Sequence, residues 1–451
     1  MLQNYEIFSI IVSIIDPKSY KFVNVDKSGN FTRVFAAFLL KFCHINVSIL
    51  MKSVKSIGIL RETKTPRDKR SAFTPKQVSG IILYHHIPIK VQPDPVRGYS
   101  DEEFNQAGAV ISEDISDCDL LMGVKEVMPD KLIEGKTYMF FSHTAKKQPH
   151  NKKLLQTILE KKNTLIDYEY LVDEKKNRLV AFGRWAGIVG AYKALRAAGI
   201  KTGGYNLKPA FENDDYNELR EQLTRVQLPP VKIVVTGGGR VAGGVMEVME
   251  TARIKEVDPE DFTIRDFYEP VACRLDPWHY TKRVDGSDFV LQHFFQNPEM
   301  YESTFKPFTK VSDIFIAAHF WDPSSPAFFT RKDMLDKNFR ISLVADISCD
   351  IPGPIPSTVR ASKFDNPFYG YDPISGKEIP PFQLGKITVM AVDNLPGELP
   401  RNASEEFGEQ LLKIIPDLTS APESEIIKRA TIAKEGKLTP NFSYLREFAN
   451  E

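Results

Sequence analysis

The chain has 451 residues, more than one hydrophobic core usually organises, so its length predicts two domains. Lys plus Arg and Asp plus Glu each total 59, and this balance argues against recruitment of nucleic acid or an anionic membrane by overall charge. No apolar run approaches the roughly 20 residues that span a bilayer. We therefore expect a soluble, cytoplasmic protein whose partner is a small molecule.

The first fifty residues show neither a signal peptide nor a clear helical period. Their most apolar stretch, Ile7 to Ile15, is short and is followed by charged residues. Met51 directly precedes a Lys-Ser-Val-Lys-Ser-Ile-Gly-Ile-Leu segment that is typical of a domain's opening strand. We expect translation to begin at Met51 and residues 1–53 to be a poorly ordered extension.

From Ile57 onward, short apolar strands alternate with helical patterns, which is typical of a parallel sheet covered on both faces. A longer helix is predicted from Trp185 to Ala198, ended by Gly199. The charged stretch 201–228 is either an excursion between domains or an early surface helix of the second one. The predicted strands before it lie at 56–60, 89–92, 120–124 and 137–141, and the predicted helices at 75–83 and 151–161.

A second unit opens with a buried strand at 231–236, followed by a glycine turn and a helical run at 245–252. Unpaired amides and the dipole at a helix N-terminus favour an anion, so this arrangement predicts a phosphate cradle. Gly237 permits the tight turn, Gly239 lets the backbone approach a pyrophosphate, and Ala242 keeps the helix close to the strand. The alternative is a plain glycine-rich turn, but its placement between strand and helix favours nucleotide binding.

An acidic residue about 20 positions further on should accept hydrogen bonds from the adenosine ribose. The stretch 262–266 is predicted to be the second strand of this unit, with Asp266 at its end. A carboxylate there repels a 2′-phosphate, so Asp266 favours NAD over NADP, although the adjacent Arg265 weakens that preference. Later strands are predicted at 314–318, 342–347 and 387–392, and the last helix, at 404–414, precedes a basic tail of surface helix and coil.

Three polar segments follow apolar strands before the glycine turn, at the edge where α/β sheets hold ligands. They lie at 123–126, 140–148 and 165–169 and are expected to face one cleft. Lys125 is either a surface amine or, placed opposite the positive charge of His143, an amine whose lowered pKa suits acid–base catalysis. His143 is either a histidine packed at the sheet edge or the partner of that lysine.

Other charged residues near these segments also have two interpretations. Glu126 and Glu169 are placed to set the charge balance of the lysine and the histidine. Arg70 and Arg178 are either solvated or available to a substrate carboxylate, which suits the forked guanidinium group.

The cysteines do not predict a metal site. Cys43, Cys118, Cys273 and Cys349 lie far apart, with no CxxC pair and no Cys/His spacing that closes a tetrahedral site. Buried free thiols in a reducing compartment are the expected state.

Longer motifs resemble one enzyme superfamily. Ile-Gly-Ile-Leu-Arg-Glu-Thr-Lys at 57–64 and Arg-Ser-Ala-Phe-Thr-Pro at 70–75 resemble the opening shared by alanine dehydrogenase, the proton-pumping transhydrogenase and saccharopine dehydrogenase. Further segments resemble the lysine-forming saccharopine dehydrogenases, and most of all the lysine–ketoglutarate reductase half of the bifunctional lysine-degrading enzyme. These segments are Phe-Phe-Ser-His-Thr-Ala-Lys at 140–146, Ile-Asp-Tyr-Glu at 166–169, Val-Ala-Phe-Gly-Arg-Trp-Ala-Gly at 180–187 and Val-Asp-Asn-Leu-Pro-Gly-Glu-Leu-Pro-Arg-Asn-Ala-Ser at 392–404.

The resemblance implies an α/β fold with two Rossmann-like, doubly wound domains, a cleft between them and a discontinuous first domain. The substrate domain is expected at 54–190 plus 393–451, and the NAD(P)-binding domain at 191–392. The implied activity is reversible conversion of saccharopine to L-lysine and 2-oxoglutarate by hydride transfer and imine hydrolysis. The alternatives are an alanine or other opine-type dehydrogenase and a catalytically silent nucleotide-binding protein.

The resemblance also implies roles for individual residues. Lys125 and His143 would form the acid–base pair. The implied substrate-side residues are Lys64, Arg70, Glu126, Lys146, Gln148, Glu169, Arg178 and Phe182. The implied cofactor-side residues are Gly237, Gly238, Gly239, Arg240, Val241, Asp266, Val392, Asp393, Asn394 and Leu395. The expected cofactor is NAD, with NADP as the alternative, and no metal is expected.

Overall fold

A computed structural model describes residues 54–419 and 424–450, so the expected extension at 1–53 lies outside the described residues. Within these ranges, no helix is both long enough and apolar enough to cross a bilayer. The helices are α1 Pro75–His85, α2 Asp101–Gln106, α3 Lys152–Glu160, α4 Gly183–Thr202, α5 Tyr216–Leu223, α6 Arg240–Thr251, α7 Pro259–Ile264, α8 Pro277–Tyr280, α9 Leu291–Gln296, α10 Lys306–Thr309, α11 Pro400–Leu412, α12 Ile415–Thr419, α13 Glu425–Ala430 and α14 Arg446–Asn450.

The strands are short and mostly buried, as expected for α/β sheets covered by helices. In chain order they are β1 Ile57–Ile59, β2 Ile89–Val91, β3 Val110–Ile111, β4 Leu120–Met122, β5 Thr137–Phe140, β6 Thr164–Asp167, β7 Lys232–Thr236, β8 Lys255–Glu256, β9 Val271–Leu275, β10 Thr281–Arg283, β11 Tyr301–Ser303, β12 Ile314–Ala317, β13 Leu343–Asp346, β14 Phe368–Asp372, β15 Lys377–Ile379, β16 Ile387–Met390, β17 Thr431–Lys434 and β18 Lys437–Leu438.

The first sheet has eight strands in the order β18-β17-β6-β5-β4-β1-β2-β3. Strands β1 to β6 are parallel to their neighbours, whereas β17 runs antiparallel to β6. The strand order reverses at β1, and the carboxyl ends of β1, β4, β5 and β6 lie along one edge, where α/β sheets bind ligands. The expectation that the tail holds only helix and coil is wrong, because three of the four residues of β17 are buried in this sheet.

The second sheet also has eight strands, in the order β15-β14-β16-β13-β12-β7-β9-β8. Its six strands from β16 to β8 are parallel, and β14 and β15 add an antiparallel edge. The chain leaves the first sheet after β6, builds the second and returns with β17. The expected two-sheet α/β architecture with a discontinuous first part is thus confirmed, while the domain limits 54–190, 393–451 and 191–392 stay predictions.

The predicted strand at 262–266 is wrong. Pro259–Ile264 forms helix α7, since Pro259 at its first position favours a helix start. The strand that pairs with β7 is β9, and the acidic residue after its carboxyl end is Asp276. Asp266 instead lies near Lys232, the first residue of β7, at the opposite end of that strand from the glycine turn.

Two predicted helix limits also differ. Helix α4 continues through Gly199, and Gly203 in the left-handed conformation, with φ 68°, caps it instead. Helix α6 begins at Arg240, directly after the glycine turn, and not at Val245.

Glycines let α4 and α6 pack with their backbones in close contact. A Cβ atom on Gly187 of α4 would lie 1.9 Å from the carbonyl oxygen of Val241. On the facing helix, a Cβ atom on Gly244 would lie 2.1 Å from the carbonyl oxygen of Arg184. Helix α4 therefore holds the start of α6, and with it the glycine turn, in a defined position.

Candidate active site

The turn after β4 carries Lys125 and Glu126 and is held by a buried carboxyl group. The backbone amides of Val124 and Lys125 donate to the two oxygens of Glu62 at 2.6 and 2.9 Å. Burial, together with the charge of Asp68, raises the pKa of Glu62 to about 8. Glu62 therefore anchors the turn through both of its carboxyl oxygens.

Lys125 is half-buried, and its ammonium group makes no hydrogen bond or ion pair within the described ranges. Burial lowers the pKa of Lys125, and the positive charge of Arg70 acts in the same direction. The sequence-based argument assigned this effect to His143, whereas in the structure burial and Arg70 contribute most. A lysine in this state is suited to proton transfer near neutral pH.

Arg70 lies in a buried cluster that joins the two sheets. Its guanidinium group donates to Asp68 at 2.9 and 2.6 Å and to Asn394 Oδ1 at 2.8 Å. Asn394 Nδ2 donates back to Asp68 at 3.0 Å, and the Arg70 guanidinium lies 4.1 Å from the centre of the Phe182 ring. Although burial opposes ionisation, Arg70 holds the pKa of Asp68 below its usual range.

His143 follows β5 in a left-handed conformation, with φ 52°, which is uncommon for a residue other than glycine. Its Nε2 lies 3.9 Å from Glu126 Oε1, and its Nδ1 lies 3.6 Å from Glu169 Oε2. His143 Nδ1 and both of these carboxylate oxygens are buried without a hydrogen-bond partner. The imidazole thus lies between two carboxylates whose remaining hydrogen-bonding capacity is open to a ligand.

The carboxylates beside His143 also pair with cations. Glu126 accepts from Lys64 Nζ at 2.9 Å, and Glu169 pairs with Lys146 Nζ at 3.1 Å and with Arg178. These three cations remain about 45% exposed.

Although burial opposes it, these partners keep both carboxyl groups ionised. The neighbouring imidazole of His143 and the charges of Arg178 and Lys146 lower the pKa of Glu169 to about 2. Lys64 and His143 lower the pKa of Glu126. The site therefore holds fixed negative charge around the imidazole at neutral pH.

The glycine turn has room for a ligand where the sequence predicts one. Gly237 adopts φ 114°, and a Cβ atom there would lie 2.5 Å from the carbonyl oxygen of Ala318. A Cβ atom on Gly239 would meet no atom within 4 Å, and the N-terminus of α6 has no side-chain cap. Open space and unpaired amides together fit the phosphate of a dinucleotide.

Asp276 lies against this turn. A Cβ atom on Gly238 would lie only 2.1 Å from Asp276 Oδ1. Asp276, not Asp266, therefore has the position expected for a carboxylate that meets the adenosine ribose.

Arg240 connects the turn to the charged cluster around His143. Its guanidinium group donates to the backbone oxygen of Arg178 at 3.1 Å. After β16, Asp393 is exposed while Val392 and Leu395 are buried, so Asp393 has the accessible side chain of these three.

Three predicted site residues do not join the cluster through their side chains. Gln148 is exposed, and its amide oxygen accepts a hydrogen bond from Asn151 at 3.4 Å. Asp266 lies at the other end of β7, and Val241 lies against Gly183 and Gly187 of α4.

Other residues at the site were missed by the sequence argument. Glu62 and Asp68 lie in the opening motif close to Lys64 and Arg70, and this proximity was a usable signal. Asp276 follows the mainly apolar run Val-Ala-Cys-Arg-Leu and precedes a proline, a typical strand end. Asp350 follows β13, and burial together with the charge of Asp346 raises its pKa to about 6. The positive charge of Lys146 acts in the opposite direction.

Residues 58–189 match the family model of the alanine dehydrogenase/PNT N-terminal domain. The mitochondrial alpha-aminoadipic semialdehyde synthase of Mus musculus is 27% identical over 446 residues, covering 87% of this chain and 47% of that protein. The chain thus spans about half the length of this relative. The NAD(+), L-lysine-forming saccharopine dehydrogenase of Neurospora crassa is 26% identical over 390 residues, covering 82% of this chain and 93% of that protein.

The fold has a solved counterpart. The structure of an L-alanine dehydrogenase superposes with a TM-score of 0.59 at 14% identity, covering 87% of this chain and 99% of that one. This likeness concerns the two-sheet architecture, in agreement with the family model. Residues 58–189 are therefore similar to the alanine dehydrogenase/PNT N-terminal domain, and the chain is similar over most of its length to the lysine-forming saccharopine dehydrogenases.

Proposed function

We propose that this chain is a saccharopine dehydrogenase that converts saccharopine reversibly to L-lysine and 2-oxoglutarate with NAD(P). One observation carries the proposal: Lys125, His143 and Glu169, from three strand ends, belong to one charged cluster, and Arg240 of the nucleotide turn contacts Arg178 of that cluster. An amino-acid dehydrogenase needs this juxtaposition, since proton transfer and hydride transfer occur at neighbouring atoms. The homologous proteins support the same chemistry.

The residues present fit a dinucleotide. The open space at Gly239 and the uncapped start of α6 would hold its pyrophosphate, and Asp276 would hold the adenosine ribose. When bound, the cofactor accepts or supplies the hydride at the carbon that joins the two halves of the substrate. A carboxylate at Asp276 disfavours a 2′-phosphate, so we propose NAD as the preferred form.

Lys125 and His143 would move the protons. Breaking the carbon–nitrogen bond requires water addition and protonation of the departing amine. Lys125, with its pKa lowered by burial, is suited to accept a proton from the substrate amine. His143 would take a proton from the attacking water and give it to the leaving amine. The carboxylates of Glu126 and Glu169 would stabilise the protonated imidazole.

The cluster also has spare positive charge for an acidic substrate. Leaving Lys125 aside, each of the four cations in it already has a carboxylate partner, yet these cations outnumber the three carboxylates. Saccharopine carries three carboxylates, for which the half-exposed guanidinium and ammonium groups are suitable partners. The cations are Lys64, Arg70, Lys146 and Arg178, and the carboxylates are Asp68, Glu126 and Glu169.

Absorbance at 340 nm tests the proposal. Purified protein should reduce NAD with saccharopine and should oxidise NADH with L-lysine plus 2-oxoglutarate, and each reaction should be repeated with the NADP form. No absorbance change in any of these mixtures contradicts the proposal. Turnover of L-alanine or pyruvate without turnover of saccharopine would indicate an alanine dehydrogenase instead.

A further inference from the structure

The turns that carry His143 and Glu169 rest on residues from the far end of the chain. His143 is followed by the 3₁₀ turn Thr144–Lys146, and Glu169 lies in the 3₁₀ turn Tyr168–Tyr170. Residues 440–450, here called the C-terminal tail, comprise the 3₁₀ helix Pro440–Leu445 and α14.

The tail contacts both turns through two aromatic residues. Tyr444 Oη donates to the backbone oxygen of Ala145 at 3.3 Å, and Lys147 Nζ lies 5.3 Å from the centre of the Tyr444 ring. Phe442 packs edge to face on Tyr170, with ring centres 4.9 Å apart. Tyr444 therefore contacts the first turn and also interacts with the side chain of Tyr170 in the second, which Phe442 contacts as well.

The first turn needs external support. His143 and Lys147, which flank it, both adopt the left-handed conformation, with φ 52° and 54°. Residues with side chains hold this conformation at a cost and keep it where surrounding contacts impose it. The Tyr444 contacts fall inside this segment, on Ala145 and on Lys147.

The distance between the two turns sets the distance between the side chains of His143 and Glu169. His143 Nδ1 and Glu169 Oε2 are 3.6 Å apart, just beyond hydrogen-bond distance, and both atoms are buried without a hydrogen-bond partner. Lys146 Nζ and Glu169 Oε1, 3.1 Å apart, join the same two turns. A displacement of a few tenths of an ångström in either turn would make or break the contact with His143.

We propose that Tyr444 and Phe442 are positioning residues, through which the C-terminal tail holds the His143 turn and the Glu169 turn in register for proton transfer. This inference rests on the proposed function only for the reaction in which His143 acts. The placement of the imidazole by the tail can be measured without substrate.

The experiment compares Tyr444→Ala, Tyr444→Phe and Phe442→Leu in the full chain, with Tyr268→Ala as control because Tyr268 is 98% exposed. For each variant, Tm, NADH affinity, kcat, KM for saccharopine and the solvent deuterium isotope effect on kcat are measured. The carbon-attached imidazole proton signals of His143 are recorded by NMR and assigned by their absence in His143→Gln.

For Tyr444→Ala we expect kcat to fall about 10-fold, because misplacement of a reacting group by a fraction of an ångström slows the reaction. NADH affinity should be unchanged, the isotope effect should rise and the His143 signals should move. Tyr444→Phe keeps the ring over Lys147 and should lose less activity. Phe442→Leu should move the same signals, and Tyr268→Ala should change none of these quantities.

The outcomes separate the two proposals. If Tyr444→Ala moves the His143 signals but the unaltered protein does not turn over saccharopine, positioning by the tail stands and the proposed substrate is wrong. If the unaltered protein is active and Tyr444→Ala changes neither kcat, the isotope effect nor the signals, positioning by the tail is wrong. A loss of kcat that only follows loss of folded protein, with unmoved signals, also overturns it.

Discussion

The Arg240 guanidinium group donates a hydrogen bond to the backbone oxygen of Arg178, with the two atoms 3.1 Å apart. Arg240 is the first residue of α6, after the glycine turn, while the Arg178 side chain pairs with Glu169 beside His143. This hydrogen bond links the expected phosphate cradle to the expected acid–base residues.

Replacement of either member of the proposed acid–base pair should lower turnover and spare nucleotide binding. Lys125→Met and His143→Gln should each lower kcat at least about 100-fold, since each removes a proton-transfer group. Steady-state kinetics measures this effect, and NADH fluorescence titration measures binding. Lys131→Met is the control, because Lys131 is 64% exposed and pairs only with neighbouring Asp130 in the described part of the chain. Unchanged turnover in both site variants would refute their assignment.

Gly239→Ala should weaken nucleotide binding without changing stability. The backbone at Gly239, with φ −95° and ψ −168°, is open to alanine, and the added methyl group meets no protein atom within 4 Å. The free energy of unfolding should change by less than about 0.5 kcal/mol. The Kd for NADH should rise at least about 10-fold, because the methyl group would occupy the space expected for the pyrophosphate. Gly243→Ala, also in open space one turn further along α6, should bind NADH normally.

Asp276 should decide between the two nicotinamide cofactors. Asp276→Asn keeps an N-cap residue for α8 and removes the charge that disfavours a 2′-phosphate. The ratio of kcat/KM for NADP to that for NAD should rise about 10-fold, from loss of roughly 1.4 kcal/mol of discrimination. Asp266→Asn is the matched control and should leave the ratio unchanged. If Asp266→Asn raised the ratio and Asp276→Asn did not, Asp266 would be the residue that contacts the ribose.

Glu169 should stabilise the folded chain in a pH-dependent way. Its pKa is about 2 in the folded chain against an ordinary value of 4.5, so its contribution is complete above pH 4.5 and is lost as the pH falls towards 2. Glu169→Gln should therefore lower the free energy of unfolding at pH 7, by about 1–3 kcal/mol. Urea unfolding at pH 7, 4.5 and 3.5 measures this free energy for the variant and the unaltered protein. The difference between the two should be smaller at pH 3.5 than at pH 7. Glu174→Gln, at an exposed position, should show no such trend.

Gly187→Ala should destabilise the protein by about 1–3 kcal/mol, a typical cost of overpacking. Its Cβ atom would lie 1.9 Å from the carbonyl oxygen of Val241, which is backbone and has little freedom to move. Gly80→Ala in α1 meets its nearest atom at 4.0 Å and should instead stabilise the helix by about 0.5–1 kcal/mol. Thermal unfolding measures the Tm of both variants, which should fall for Gly187→Ala and rise for Gly80→Ala. Equal Tm values for the two would contradict the close packing of α4 on α6.

Features encoded by neighbouring residues were predictable from the sequence alone. Buried strands such as β1, β4 and β7 appear as short apolar runs, and the glycine turn after β7 has a distinctive local pattern. The charged residues after β4 and β5 were predicted because parallel strands place their carboxyl ends at one edge of a sheet. The segments that include Lys125 and His143 could therefore be assigned to one site without coordinates.

Long-range contacts decided the rest. Strand β17 contains only four residues and is a strand because β6, far away in the chain, pairs with it. Asp276 replaced Asp266 beside the glycine turn because β9, and not the stretch before it, pairs with β7. The lowered pKa of Lys125 arises from burial and from Arg70, more than 50 positions earlier in the sequence. The sequence by itself thus determined which chemical groups are present and roughly where each strand ends, since hydrophobic period and turn residues act locally. Strand pairing, desolvation and the charge surrounding each group depend on residues brought together only by folding, and the tertiary structure alone decided them.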